Sequence, residues 1–146
     1  MAEIIPIASD HAGFKLKEEL KVYLKSKGFE IHDFGCFNED SVDYPDMIHP
    51  IASKIDSGEY KFGFIMCGSG NGVSMVANKY KNIRCALCWS KEIACLSKQH
   101  NDANIVALPA RFITFEEAKN IIDAYLNTKF EGGRHQRRIE KIPIVS

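Results

Sequence analysis

The sequence predicts an α/β protein in which a doubly wound, five-stranded parallel sheet lies between helices as a three-layer, Rossmann-like α/β/α sandwich. Three observations lead there. Short, nearly continuous apolar runs alternate with longer segments of helical period. Strands that are apolar on both sides belong to sheets covered on both faces, which are typically parallel. Right-handed crossovers between parallel strands then distribute the intervening helices over the two faces. No repeat, linker or low-complexity tract interrupts the alternation, so residues 1–146 are expected to form one domain, long enough to bury a core without cross-links.

The elements follow in order. "IIPIAS" (4–9) reads as the first strand. In "HAGFKLKEELKVYLKSKG", Leu16, Leu20, Tyr23 and Leu24 fall on one helical face among lysines and glutamates, and Gly28 stands where the helix stops. "FEIHDFG" is the second strand. "DYPDMIHPIASKIDSG" reads as a helix opened by Pro45, with Pro50 as a point where it breaks or restarts. "KFGFIMC" is the third strand and "NGVSMVANKY" the helix after it. "IRCALCW" is the fourth strand, and "SKEIACLSKQH" a helix capped by Ser90. "NIVAL" is the fifth strand, before "TFEEAKNIIDAYLN" with a Thr114-to-Glu117 capping box. The basic, weakly apolar segment 128–146 is expected to pack on a neighbouring subunit.

Composition narrows the function. The chain carries 19 basic and 19 acidic residues, so no net field draws it toward nucleic acid or an anionic membrane. No apolar run approaches the roughly 20 residues that span a bilayer. "MAEIIPIASDHAG" lacks the layout of a signal peptide, so a cytoplasmic protein is expected. Five cysteines, an odd number, read as free thiols of a reducing compartment. Cys85 and Cys88 have the spacing of a redox or zinc pair. On a strand, however, residues three apart point to opposite faces, and two inert, buried thiols are the better reading.

In such folds ligands bind beyond the carboxyl ends of the strands. Two strand ends stand out, "SDHAG" after the first and "CGSGNG" after the third. Gly68, Gly70 and Gly72 allow a tight turn and close backbone approach to an anion, at a helix end whose N–H groups favour negative charge. No Lys-Ser/Thr follows at P-loop spacing, and Val73 stands where the dinucleotide fingerprint requires a third glycine. Cys67 before the loop and Ser69 inside it add a thiol and a hydroxyl that a plain turn does not need. Polar groups also gather in "KQHNDAN", "PAR" and "GGRHQRR". Singly, each has a structural explanation: His100 as a helix C-terminal cap, Arg111 as a surface charge, Arg134, Arg137 and Arg138 as a solvated face. Their positions raise a further point. His100 precedes a strand and Cys67 ends one, so they belong at opposite sheet edges, about 17 Å apart for a strand of five residues. A site that uses both is expected to span two chains related by a twofold axis.

Six stretches, "SDHAGFKLK", "DYPD", "CGSGNGVSMVANK", "IRCAL", "QHNDANIVALPAR" and "EGGRHQRR", taken together and in this order, resemble the type B ribose-5-phosphate isomerases and their galactose-6-phosphate and allose-6-phosphate relatives. The resemblance covers nearly the whole chain. It implies a cofactor-free, metal-free aldose–ketose isomerase that interconverts ribose 5-phosphate and ribulose 5-phosphate through an enediolate. It also implies a homodimer, or a tetramer, with the site shared between subunits. Matched by motif, Cys67 is the base that moves a proton between C2 and C1. Ser69 and the N–H groups of Gly70, Asn71, Gly72, Val73 and Ser74 stabilise the enediolate, with Gly68 in the same loop. Asp10 and His100 open the furanose ring, Tyr44 and Asn101 line the sugar site, and His11, Arg111, Arg134 and Arg138 grip the phosphate. One branch of the family has a glutamate base where this chain has Val73, which accepts no proton; Cys67 is then the remaining candidate. Two alternatives stay open: a six-carbon sugar phosphate as substrate, and a non-catalytic phosphosugar-binding protein. A disulfide-exchanging protein is a further alternative, suggested by the thiols.

Overall fold

Residues 2–145 are described by a computed structural model of the chain, and the predicted alternation is present throughout. The elements are β1 (Ile4–Ser9), α1 (Phe14–Ser26), β2 (Glu30–Asp33), α2 (Tyr44–Asp56), β3 (Gly63–Cys67), α3 (Asn71–Ala77), β4 (Cys85–Leu87), α4 (Lys91–Gln99), β5 (Ile105–Pro109), α5 (Phe115–Leu126) and α6 (Arg134–Ile139). All strand pairs are parallel, in the order β2-β1-β3-β5-β4. The chain winds outward from β1 to β2, then returns past β1 to β3. The sheet therefore has a switch point between β1 and β3, where a crevice opens beyond the carboxyl ends.

Period-two alternation along the strands sorts the core into two layers. Ile5, Ile7, Phe64, Met66, Val106 and Leu108 face α1, α4 and α5. Ala8, Ile65, Cys67, Ile105 and Ala107 face α2 and α3. The opposite facing of the two cysteines holds, but only one is buried: Cys88 belongs to the first layer, whereas Cys85 is half-buried on edge strand β4 and packs against the second. Burial pushes the Cys88 thiol up to about 11 and that of Cys85 well above its ordinary value, so neither is a thiolate near neutral pH and disulfide exchange there is disfavoured. The Thr114–Glu117 capping box and the Ser90 cap are both formed.

Two expectations need correction. Pro50 does not break α2, which runs unbroken from Tyr44 to Asp56. Pro50 is exposed, so the carbonyl it leaves unbonded four residues earlier, on exposed Asp46, is open to water. Meanwhile Ile48, Ile51, Ala52 and Ile55 hold both halves against the sheet. The fourth strand is shorter than its apolar run. It is an edge strand paired only with β5, and the Arg84 N–H donates to the Asn104 side chain (2.7 Å) before the ladder begins. The segment after α5 contains a helix, α6. Its His135 and Ile139 are buried in its own chain, while Ile142, Ile144 and Val145 are exposed.

Helix α1 carries a feature that its sequence pattern conceals. Leu16, Leu20 and Leu24 are buried as expected, but so, completely, is Lys17. Its ammonium donates to Asp33 (2.6 Å) and Glu18 (2.9 Å), and Lys21 donates to the same two carboxylates. Asp33 in turn accepts the Gly35 N–H (2.8 Å), and Gly35 and Cys36 exchange backbone bonds with Ser9. The buried charge thus anchors the β2 exit loop against the last residue of β1, next to Asp10. Burial alone would raise the Asp33 carboxyl, but hydrogen bonds from Lys17 and Lys21 outweigh it and hold the group below its ordinary value of 3.8. A depressed carboxyl stabilises the fold above its unfolded value, and that contribution disappears as pH falls through the folded value. Lys17→Met is expected to cost ~3 kcal/mol in urea denaturation at pH 7, because it leaves buried carboxylate charge short of a partner. The variant is also expected to lose less stability than the wild type as pH drops below about 4.

Candidate active site

The crevice at the switch point is built from the ends of β1, β3 and β5. Cys67 is the last residue of β3 and pairs with Pro109, the last of β5. Beyond them the two chains stay bonded, Ala110 N–H to the Cys67 carbonyl and Arg111 N–H to the Gly68 carbonyl (both 2.9 Å). The glycine loop is therefore held on one side by the β5 exit and on the other by the start of α3. Gly70 takes φ +76° to make the turn, a conformation that disfavours a β-carbon. The turn brings its N–H to within 3.2 Å of the Cys67 sulfur, to which it donates.

Cys67 is both a core residue and a loop residue. It is only 5% exposed and packs with Ile65, Val73 and Ala107, yet its sulfur accepts a hydrogen bond from the loop. The other donors of the loop divide into two sets. Asn71 N–H donates to the Ser69 hydroxyl (3.2 Å) and Ser74 N–H to the Gly70 carbonyl (3.3 Å). Gly72 and Val73 sit in the first turn of α3, where N–H groups lack intrahelical acceptors. The Ser69 hydroxyl, occupied as an acceptor, retains its own proton to donate. Tyr44, the first residue of α2, lays its ring against Gly72; a β-carbon there would come within 2.7 Å of the ring. Arg111 crosses Gly68 less closely, its guanidinium 3.2 Å from where a β-carbon would stand.

Asp10 and His11 complete this edge. Asp10 is buried, and its carboxylate accepts the Gly13 N–H at 3.0 Å. The Val42 N–H donates to His11 Nδ1 (3.2 Å), which leaves Nε2 as the nitrogen that carries the proton in the neutral ring. With Asp43 and Tyr44 these residues line an open cavity of about 420 Å³.

The remaining predicted residues assemble at the opposite edge. Cys67 is level with the end of β5, whereas His100 caps α4 ahead of the start of β5. Arg84, which sequence reasoning named only as part of a motif, fixes the loop after His100. Its guanidinium donates to the carbonyls of Asn101 and Asp102 (2.9 Å each), and Asp102 also pairs with Lys98 (2.9 Å). Asn101 lines a groove with Arg84, Ala86 and Ile142. The rings of His100 and His135 stack with centroids 4.3 Å apart. Arg134 and Arg138, one turn apart on α6, are exposed beside them. His135 was not singled out from sequence, although its four-residue spacing from Ile139 marks it as the inward face of α6. One chain thus gathers the predicted residues in two groups, Cys67, Ser69, Asp10, His11, Tyr44 and Arg111 at the carboxyl edge, and His100, Asn101, Arg134 and Arg138 at the amino edge.

Comparison with known proteins places this geometry in a family. A family model described as Ribose/Galactose Isomerase matches residues 5–142. The chain is 40% identical over 141 residues to ribose-5-phosphate isomerase B of Escherichia coli K12, covering 97% of this chain and 95% of that protein. Its structure superposes on that of a ribose 5-phosphate isomerase from Thermotoga maritima with a TM-score of 0.96 and 50% identity, covering 99% of this chain and 100% of the other. A ribose-5-phosphate isomerase B from Mycoplasma genitalium, solved with bound ribulose 5-phosphate, gives a TM-score of 0.92 and 44% identity over 97% of this chain and 95% of the other. The chain belongs to the ribose/galactose isomerase family.

Proposed function

We propose that this chain is an aldose–ketose isomerase that interconverts ribose 5-phosphate and ribulose 5-phosphate, in a site completed by two copies of a single-domain subunit. The observation that carries the chemistry is the Cys67 sulfur held by the Gly70 N–H at the mouth of the switch-point crevice, beside the open first turn of α3. The carbon number of the substrate follows the ribose-5-phosphate isomerase relatives, one of which was solved with bound ribulose 5-phosphate.

The reaction runs in two stages. First the furanose opens: one group takes the proton of the C1 hydroxyl while another protonates the ring oxygen as its bond to C1 breaks. Asp10 and His100 fill these roles, contributed by different subunits. Then the Cys67 sulfur, as thiolate, takes the C2 proton. The electron pair forms the C1–C2 double bond and charge collects on the C1 oxygen. The Gly72 and Val73 N–H groups and the Ser69 hydroxyl supply the donors for that charge; a well-aimed donor is worth about 3 kcal/mol. Returning the proton to C1, with transfer of the C2 hydroxyl proton to the C1 oxygen, gives the ketose. Hydrogen moves within the substrate, so the step needs no redox carrier.

Phosphate recognition divides between the edges, His11 and Arg111 from one copy and Arg134 and Arg138 from the other. Guanidinium groups suit this task because they bind phosphate through paired, charge-assisted bonds. Support for the two-copy arrangement comes from the residues that follow the strand ends. Phe37, Trp89 and Phe112, with Met75 on α3, are exposed around the carboxyl edge, and such a rim suits a buried interface. The exposed end of segment 128–146 is assigned to the same contact. Among the described residues no helix is long and apolar enough to cross a membrane. Five free thiols fit a cytoplasmic enzyme.

Purified protein, without added metal or nucleotide, is expected to turn over ribose 5-phosphate faster than allose 6-phosphate or galactose 6-phosphate, and Cys67→Ala to lose about a thousandfold or more. A faster six-carbon substrate would reassign the family member; binding without turnover would make it a sensor. Mixed Cys67→Ala and His100→Ala subunits are expected to recover activity in hybrids, measured after subunit exchange has been verified by mass. Arg134→Ala is expected to lower kcat/KM roughly tenfold to a hundredfold, the range of a lost charge-assisted bond. Part of that loss should fall in kcat, because phosphate binding orients the reacting carbons.

A further inference from the structure

The stacked pair His100 and His135 is more constrained than a helix cap and a tail residue need to be. Gly132 and Gly133, with φ +70° and +58°, turn the chain into α6 so that His135 and Ile139 face inward while Arg134 and Arg138 remain exposed. The Glu131 N–H donates to the Gln99 carbonyl (3.1 Å) and ties this turn to the end of α4. His135 is 6% exposed. Its ring plane lies 11° from that of His100. Its Nε2 has no hydrogen-bond partner among the described residues; the Glu131 carboxylate is 3.4 Å away but out of line. A buried, unpartnered ring nitrogen costs roughly 1–3 kcal/mol, so a native structure that keeps one invites a functional reason.

Charge around the pair decides what it can hold. Burial, then His100, then Arg134 and Arg138, lower the His135 pKa against the opposing pull of Glu131, so His135 stays neutral near pH 7. A neutral His135 spares the stacked pair the repulsion of two cations. A metal ion is a poor occupant of His100, Glu131 and His135, although their ligand atoms lie within 4.8 Å of one another. The lone pairs of stacked rings lie in near-parallel planes and do not meet at one point, and Arg134 and Arg138 oppose added positive charge.

We propose that His135 is a positioning residue for His100: its ring is a stacking platform that fixes the plane in which His100 meets the sugar ring oxygen, so it governs ring opening and leaves the C1–C2 proton transfer alone. This rests on the isomerase reading given above. The two stages separate experimentally. Ribose 5-phosphate is largely a closed furanose and must be opened, whereas ribulose 5-phosphate has its 5-hydroxyl esterified and cannot close a five-membered ring. Exchange of its C1 proton with D2O, followed by NMR, therefore reports enediolate formation without ring opening.

The wild type should catalyse both turnover of ribose 5-phosphate and exchange into ribulose 5-phosphate; no turnover of ribose 5-phosphate by the wild type would sink the isomerase reading itself. His135→Leu, which removes the flat ring, is expected to lose about tenfold to a hundredfold in ribose 5-phosphate turnover, the scale of a misplaced catalytic group. Its exchange rate should stay within about threefold of wild type. His135→Phe restores a stacking ring without the nitrogen and should recover most of the turnover. If His135→Leu does not fold, the comparison of His135→Phe with His135→Gln, which has no ring, carries the same test. Turnover and exchange falling together, neither changing, or a phenylalanine variant as impaired as the ringless one would each overturn the proposal.

Discussion

The common direction of the five strands is the constraint on which the rest depends. In a parallel sheet every strand-to-helix turn lies at one edge and every helix-to-strand turn at the other. Cys67, Asp10 and Arg111 follow strands; His100 and Asn101 precede one. The register of β3 with β5, Gly63 opposite Ile105 and Cys67 opposite Pro109, turns this into a separation of about a strand length, ~17 Å. No side chain in the set reaches across that distance, and loop rearrangement cannot remove it without reversing a strand. A reaction needing both groups must therefore bring the carboxyl edge of one copy to the amino edge of another.

Within the carboxyl edge, hydrogen-bond accounting explains how one loop can serve several purposes. A helix start offers a limited number of unpaired N–H groups. Gly70 and Asn71 spend theirs on Cys67 and Ser69, fixing the sulfur and the hydroxyl, while Ser74 bonds back to Gly70. Gly72 and Val73, in the first turn of α3, are the donors that the proposed reading gives to a developing oxyanion. The loop thus orients its reactive side chains with some amides and, on the proposed reading, stabilises charge with others. Burial of Cys67 among Ile65, Val73 and Ala107 excludes water from the side of the sulfur facing the core, which strengthens the remaining electrostatics.

What the sequence made legible follows from the range of each interaction. The strand and helix alternation, the Thr114 capping box and the opposite facing of Cys85 and Cys88 are local, period-driven features, and they are present. The continuous α2 was misread because Pro50 is costly only where its lost bond is buried, and which side of a helix faces water is a tertiary property. Buried Lys17 was hidden for a related reason. Among exposed lysines it carries no local mark, and its partner Asp33 is sixteen residues away. His135 was missed because three arginines of its motif suggested solvent, whereas Gly132 and Gly133 turn one residue of that basic stretch inward. Which predicted residues lie at each sheet edge, by contrast, was readable once strand direction was known.

The two edges also differ in chemical character, and on the proposed reading that difference gives the pairing of two copies a role beyond simple proximity. The carboxyl edge holds acceptors and amide donors, Asp10, Ser69, the Cys67 sulfur and the first turn of α3, which suit moving protons and absorbing transient charge. The amino edge holds permanent cations, Arg84, Arg134 and Arg138, around an imidazole pair. Arg84 is already committed to the Asn101 and Asp102 carbonyls, so the unspent positive charge lies on α6. On the proposed reading, a phosphorylated sugar placed between them has the Cys67 sulfur and amide donors on one side and His100 on the other, while Arg111 from one edge and Arg134 and Arg138 from the other close on its phosphate, which sets its direction in the site. Neither edge alone supplies that set. On the proposed reading, apposition of two copies selects the orientation of the substrate as well as gathering the groups that act on it.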